Sequence, residues 1–256
     1  MKAVILFVCL LAGNSCIACP QADSIPSIAN TTSKLIAEPH RLAAQRLILP
    51  AALLGYGIAS LSNHSINDLN RSTRKEIAEH QPATTRLDNY TQYVPAALVY
   101  SLNSLGIKSS HNFRDRTILL AGSQLIVAGI VVPAKSLLHV ERPDGSNFHS
   151  FPSGHTATAF STAQFMYREY RHSNKLLSLA GYPFAVFTGV YRILNNKHWV
   201  GDVAAGAGIG ILSTELAYWA FPYFSKLVGG RNWKGHLSVA PYTTGTSWGI
   251  GLVKQW

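Results

Sequence analysis

Cysteine is scarce and confined: Cys9, Cys16 and Cys19 are the only three in the 256-residue chain. A domain that begins after them holds no internal disulfide, and cysteine catalysis is excluded with it. Charge is also scarce, at 13% of residues, and acid is scarcer than base. Twelve Asp and Glu stand against 22 Lys and Arg, for a net charge of +10. No nucleic-acid motif, internal repeat or low-complexity tract accompanies that excess, so nucleic acid is set aside as a partner. The cations lie between hydrophobic segments, and 47% of residues are apolar. That pairing points to a membrane and to an anionic, phosphate-bearing substrate.

Long apolar runs are few as well. Hydrophobic segments recur near 46–61, 93–105, 117–138, 156–166, 176–194 and 200–224, which makes about six helices. Most fall short of the roughly 20 apolar residues that a bilayer span requires. Only Thr117–Leu138 has that length, and it carries Gln124 and Lys135. Mean hydropathy is +0.11, low for a polytopic membrane protein, and Glu215 sits within the last segment. The expected fold is therefore all-α: a bundle of about six helices, partly membrane-embedded through five spans or fewer, with Tyr93–Leu105 lying at the interface. A peripheral bundle without true spans stays open. The membrane version gathers Arg71, Arg74, Lys75, Arg86, Lys108, Arg114 and Arg116 in one inside loop, and Arg168, Arg171 and Lys175 in the next. Asn63–Asn89 reads as a charged connection with a short amphipathic helix around Leu69–Ile77. Gly206 and Gly210 either permit close helix packing or reflect how common glycine is in such segments.

At the N-terminus, Lys2 precedes an apolar run from Ala3 to Ala12 and then small residues to Ala18. This is the shape of a secretory signal over residues 1–18, and Ile17-Ala18-Cys19 leaves lipidation at Cys19 open. A polar segment over 19–40 follows, then the helical bundle over 41–226 and a β-hairpin-like tail over 227–256. In the tail, Leu237–Tyr242 and Ser247–Leu252 read as two short strands. Two strands cannot close a membrane barrel. The protein is expected to be exported and membrane-associated, with its site facing the periplasm and the inner membrane favoured over the outer.

Three short patterns carry the chemistry. The first runs Lys135-x6-Arg142-Pro143, the second is Pro152-Ser153-Gly154-His155, and the third runs Arg192-x5-His198-x3-Asp202. A transferring phosphoryl group carries negative charge on its equatorial oxygens, and Lys135, Arg142 and Arg192 offer three cations to it. Lys135 and Arg142 share a face if their segment is helical, a helix that Pro143 would then stop. Ser153 and Gly154 open a helix, where free backbone N–H groups favour an anion. His198 and Asp202 lie one turn apart, so the carboxylate can accept one ring N–H and leave the other nitrogen free to attack phosphorus. His155 is then the general acid that protonates the departing oxygen.

In this order the motifs resemble those of the type-2 phosphatidic acid phosphatase superfamily. Its members include lipid phosphatases, bacterial non-specific acid phosphatases and vanadium-dependent haloperoxidases. The surrounding Arg142–Asn147 and Asn195–Trp199 look like a Bacteroidetes-type branch of membrane-associated members, and the resemblance runs from about Ser62 to Trp219. Tyr191 departs from the family, which usually has serine there. The resemblance implies a phosphohistidine on His198, no metal and no cofactor. It also implies a lipid phosphate or diphosphate as substrate: lipid A phosphate, undecaprenyl diphosphate, phosphatidylglycerol phosphate or phosphatidate. A soluble acid phosphatase, a haloperoxidase and a non-catalytic lipid-phosphate binder are the alternatives.

Overall fold

The structure, a computed structural model, describes residues 44–80, 82–228, 236–243 and 248–255, with side chains through 223 except those of 64–66. The expected leader, the polar segment and all three cysteines lie outside the described residues. Helices run α1 Ala44–Ser62, α2 His64–His80, α3 Asp88–Thr91, α4 Val94–Ser104, α5 Phe113–Leu138, α6 Gly154–Tyr170, α7 Lys175–Leu179, α8 Tyr182–Leu194 and α9 Val200–Val228. The six expected segments correspond to α1, α4, α5, α6, α7 with α8, and α9. Strands β1 (His236–Thr243) and β2 (Trp248–Gln255) pair antiparallel, with Val239 opposite Leu252 and Thr243 opposite Trp248. The hairpin belongs to a different compact unit from His40–Ser225, which holds α1 to α8 and α9 as far as Ser225.

Local chemistry sets the helix ends. Asn112 caps α5 by accepting the Asp115 N–H at 2.8 Å, and Asn174 caps α7 through the Leu177 N–H at 3.0 Å; each such cap stabilises by about 1 kcal/mol. Pro95 and Pro183 occupy the first turns of α4 and α8, where a missing N–H costs nothing. His139, left-handed at φ 46°, ends α5. Helix α5 therefore stops before Arg142, which corrects the expectation that Lys135 and Arg142 share one helical face.

Helix α6 is the axis of the bundle: Ala157, Ala159, Ala163, Phe165, Met166 and Tyr170 are fully buried along it. Helix α9 packs directly on its first turns through glycine. A Cβ at Gly206 would stand 2.5 Å from the Ser153 carbonyl oxygen, and one at Gly210 would collide with the Ala157 carbonyl. Another face of α9 meets α1, where a Cβ at Gly208 would stand 2.5 Å from the Pro50 carbonyl oxygen. The Gly206/Gly210 spacing is thus a packing device. These contacts, with those of Val99 to Tyr170 and Ser110 to Glu169, make α1, α5 and α8 run toward one end of the bundle and α4, α6 and α9 run back. Three connections, 63–93, 139–153 and 195–199, meet at that end.

Four helical stretches are long and apolar enough to cross a membrane: Ala44–Ser62, Phe113–Leu138, Lys175–Leu194 and Val200–Tyr223. The expectation of a single sufficient run was too strict, because a helix interrupted by Gly, Ser, Tyr or Thr still presents an apolar surface of the needed length. Ile48, Leu49, Leu125, Val132 and Val186 lie on the bundle's exterior. Helix α4, expected at the membrane interface, packs into the helical core. Its Val99 is fully buried with Phe165 and Met166 in the core, and it carries the chain from one end of the bundle to the other. Arg71, Arg74, Lys75 and Arg86 consequently lie at the opposite end from Lys108, Arg114 and Arg116, not in a shared loop.

Candidate active site

Each of the three motifs falls where the chain turns at the same end of the bundle. Ser153 caps α6: its Oγ accepts the Thr156 N–H and lies 2.8 Å from the Thr156 hydroxyl. Its own backbone N–H donates to the Asp202 carbonyl at 3.0 Å. That bond ties the start of α6 to the start of α9 and takes Ser153 N–H out of the set free for a ligand. Among the described residues no protein acceptor takes the Gly154 or His155 N–H, so the anion-facing N–H groups of this helix are one position later than expected. Gly154 leaves room for the Lys135 stem, whose Cε would lie 4.0 Å from a Cβ there.

His198 lies in the turn that enters α9, and Asp202 in that helix's first turn. Asp202 Oδ2 accepts the Trp199 N–H at 2.9 Å, an acid in the third helical position reaching back to the cap residue. The same oxygen accepts the Ser150 hydroxyl and faces His198 Nδ1 at 3.5 Å. With no closer partner on Nδ1, this is an ion-pair contact rather than a formed hydrogen bond. The Arg192 carbonyl accepts the N–H groups of Lys197 at 3.0 Å and His198 at 3.2 Å. Arg192 thereby fixes the histidine through its backbone as well as bringing a cation. His198 is 2% exposed and Asp202 1%, so neither carboxylate nor imidazole is screened by bulk water.

The cations differ in how they are held. Lys135 Nζ donates to the carbonyls of His149 at 2.6 Å and Ser150 at 3.3 Å, which orient it without neutralising it. Arg142 sits in a turn closed by its own N–H on the Asn147 carbonyl at 3.0 Å, and its buried Nε has no partner. Burial and the neighbouring Arg192 push its guanidinium below its ordinary value. Arg192 pairs with Asp88 at 2.9 Å and also leaves Nε unpartnered. His155 Nε2 lies 2.9 Å from Asn89 Oδ1. Burial pushes His155 down to about 4, with Arg192, Arg142 and Lys135 adding to the effect and Asp88 opposing it. His198 is also pushed to about 4, by burial first, against the opposing pull of Asp202. Both imidazoles are neutral at pH 7.

All eight residues singled out from the sequence (Lys135, Arg142, Ser153, Gly154, His155, Arg192, His198 and Asp202) come to one end of the bundle. Four others are added. Asp88 and Asn89, on α3, hold Arg192 and His155; Ser150 holds Asp202; and buried Asn70, on α2, accepts the Gly201 N–H at 3.2 Å. The segment bearing Asp88 is fastened along α8 by paired Thr85–Asn195 bonds at 2.8 and 3.3 Å and by Thr91–Thr188 at 2.8 Å. Nothing local distinguishes Asp88-Asn89 from any polar turn, so only their distant partners reveal them.

Residues 116–226 match the PAP2 superfamily. A lipid A 1-phosphatase of Porphyromonas gingivalis is 39% identical over 151 residues, which make up 59% of this chain and 34% of that protein. The chain thus spans about a third of that relative's length. A lipid A 4'-phosphatase of Helicobacter pylori is 25% identical over 150 residues, or 54% of this chain and 70% of that one. The crystal structure of Aquifex aeolicus LpxE superposes with a TM-score of 0.42 at 23% identity, covering 59% of this chain and 92% of that one.

Proposed function

We propose, on the premise that residues 116–226 are a PAP2 superfamily region, that this protein is a metal-independent phosphatase of a membrane lipid phosphate or diphosphate. A lipid A phosphate is the first candidate, because two relatives are named for that substrate. The observation that carries the reading is one buried imidazole, His198, backed by a carboxylate and facing three cations. Of these, Arg192 is paired with Asp88, while Lys135 and Arg142 have no ion-pair partner among the described residues.

Substrate phosphate enters among Lys135, Arg142, Arg192 and the Gly154–His155 N–H groups. His198 Nε2 attacks phosphorus in line with the lipid oxygen, and Asp202 stabilises the positive charge that develops on the ring. The P–O bond to the lipid breaks as His155 gives its proton to that oxygen. His155 is neutral in the free protein and takes up a proton from solvent as substrate binds, because the charge of the bound phosphate offsets the three cations and raises its proton affinity. Neutral His155 then takes a proton from water, which attacks the phosphohistidine and releases inorganic phosphate while restoring His198. His198→Ala should lower phosphate release in detergent by about 10⁴-fold or more, and EDTA should leave the wild-type rate unchanged. Substantial turnover by His198→Ala would refute the nucleophile.

The site faces the periplasm in this reading. Lys108, Arg114, Arg116, Arg168, Arg171 and Lys175 at the opposite end favour that orientation, and Arg71, Arg74, Lys75 and Arg86 at the motif end oppose it. A cysteine placed at exposed Ser146 should react with a membrane-impermeant maleimide in intact cells with a permeabilised outer membrane. Labelling only after the inner membrane is opened would reverse the orientation.

A further inference from the structure

Beside the catalytic cluster, a cavity of about 770 Å³ opens between α2 and the ends of α1, α5 and α9. Its lining includes Arg71, Arg74 and Lys75 from one stretch of α2, with Trp199 and Asp202 from the entry to α9. The Arg74 guanidinium lies over the Trp199 ring at 5.7 Å. Arg71 and Lys75 have no ion-pair partner among the described residues. Glu141 also lines the space, so two carboxylates, exposed Glu141 and buried Asp202, stand against three cations. Asn70 roots α2 beneath them by its bond to Gly201, so the cavity wall is fixed to the helix that carries Asp202. These cations belong to the end of the bundle that the orientation above places outside, where the charge bias of membrane proteins does not call for them.

We propose that this cavity is a second phosphate-binding subsite, distinct from the catalytic cradle, in which Arg71, Arg74 and Lys75 receive a phosphate group of a lipid headgroup. Arginine's fork and lysine's point charge suit phosphate oxygens, and the volume admits a sugar phosphate or a glycerophosphate. The location, between the apolar flanks of α1 and α5 and below an amphipathic basic helix, is where lipid headgroups lie. The phosphate has two sources, a second phosphate on the substrate itself or a neighbouring anionic phospholipid. The subsite deepens the lipid phosphatase reading and rests on it for its kinetic test.

The experiment compares the full-length wild type with Arg71→Gln/Arg74→Gln/Lys75→Gln in mixed micelles, with and without phosphatidylglycerol. The substrates are a glycolipid carrying two phosphates, the same lipid carrying one, and soluble p-nitrophenyl phosphate. The ratio of lipid to soluble kcat/KM should fall about tenfold in the triple variant, through KM, since losing charge-assisted contacts worth about 1.4 kcal/mol is a factor of ten. A fall confined to the two-phosphate lipid assigns the subsite to the substrate's own second phosphate. A fall for both lipids that needs phosphatidylglycerol assigns it to a neighbouring lipid. Arg71→Lys with Arg74→Lys keeps the charge and should restore most of the ratio, which separates the effect from misfolding. An unchanged ratio for both lipids in both micelles overturns the subsite. Lipid retained by His198→Ala protein, read by native mass spectrometry with and without the three Gln substitutions, provides a readout without turnover. Loss of retention in the triple variant supports the subsite even if the phosphatase reading fails, and equal retention overturns it even if that reading stands.

Discussion

The two ends of the bundle both bury charge, and they treat it in opposite ways. At the end away from the motifs, Glu169 is fully buried and fully served. His111 Nδ1 lies 2.7 Å from it, the Tyr218 hydroxyl donates at 2.6 Å and the His111 N–H at 3.1 Å. Burial alone would raise its carboxyl, yet the bonds from His111 and Tyr218 outweigh that and hold it below the ordinary value. Arg168 pairs with Glu215 at 2.9 Å and lies over the Tyr218 ring at 4.5 Å, while Gln164 donates to the same Glu215 at 2.6 Å. About 21 Å away, at 1.5 Å per residue along α6 from Glu169 to His155, the motif end keeps Lys135 on carbonyls alone and leaves Arg142 Nε, Arg192 Nε and His198 Nδ1 without hydrogen bonds. Satisfied polar groups fix a structure, whereas unsatisfied ones store affinity for whatever completes them. Arg116 Nε at the first end also lacks a hydrogen bond, so the contrast rests on the acids. Glu169 and Glu215 are closed by donors there, against three cations gathered at the motif end as a receptor for an anion.

That contrast can be broken experimentally. The largest effect should come from Asp202→Asn, which keeps the shape but removes the charge opposite His198. Turnover should fall about 10³-fold with little change in melting temperature, and a small loss would mean that Asp202 only caps α9. Glu169→Ala should do the reverse. It leaves His111 and Tyr218 without their common partner and should cost about 3 kcal/mol of stability, while kcat per folded molecule is retained. Denaturation beside active-site titration reads both. Asp88→Asn tests the point at which the two ends differ most. With Arg192 buried and unpaired, stability should fall by about 2 kcal/mol, and orthovanadate should restore much of it by supplying the missing anion. Vanadate should restore nothing in Glu169→Ala; equal rescue of both would erase the distinction.

Smaller effects sharpen the picture. Asn89→Ala frees His155 Nε2 and should lower kcat about fivefold with KM unchanged, roughly the worth of one hydrogen bond. A change in KM alone would place Asn89 in binding. The pH dependence has a definite sign. The folded values of His155 and His198 lie near 4, below the ordinary 6.5, so the unfolded chain binds more protons between those limits. The stability they lend is full above about pH 6.5 and is lost progressively as pH falls toward 4. Phosphate or vanadate opposes the three cations and should raise both values, so binding near pH 6 should take up protons. Calorimetry in buffers of different ionisation enthalpy would detect that uptake, and proton release would contradict the assignment of the cradle.

What the sequence determined by itself was the chemistry and its supports within one turn or one helix. The histidine–aspartate spacing, the three cations, the serine that caps α6 and the glycines of α9 all act over a few residues, and local spacing encodes such relations directly. Even there the geometry needed correction: α5 ends at Leu138, so Arg142 arrives by a turn rather than along a helical face, and the Ser153 N–H is spent on Asp202. The tertiary structure alone decided which distant residues complete the site. Asp88 meets Arg192 across 104 positions and Asn70 meets Gly201 across 131, and no periodicity or motif can carry that information. It decided, too, that the cations of α2 stand beside the catalytic cluster rather than with those of the 105–116 connection. The reason is physical: α4 buries Val99 against α6, and burying that face carries the chain to the other end of the bundle.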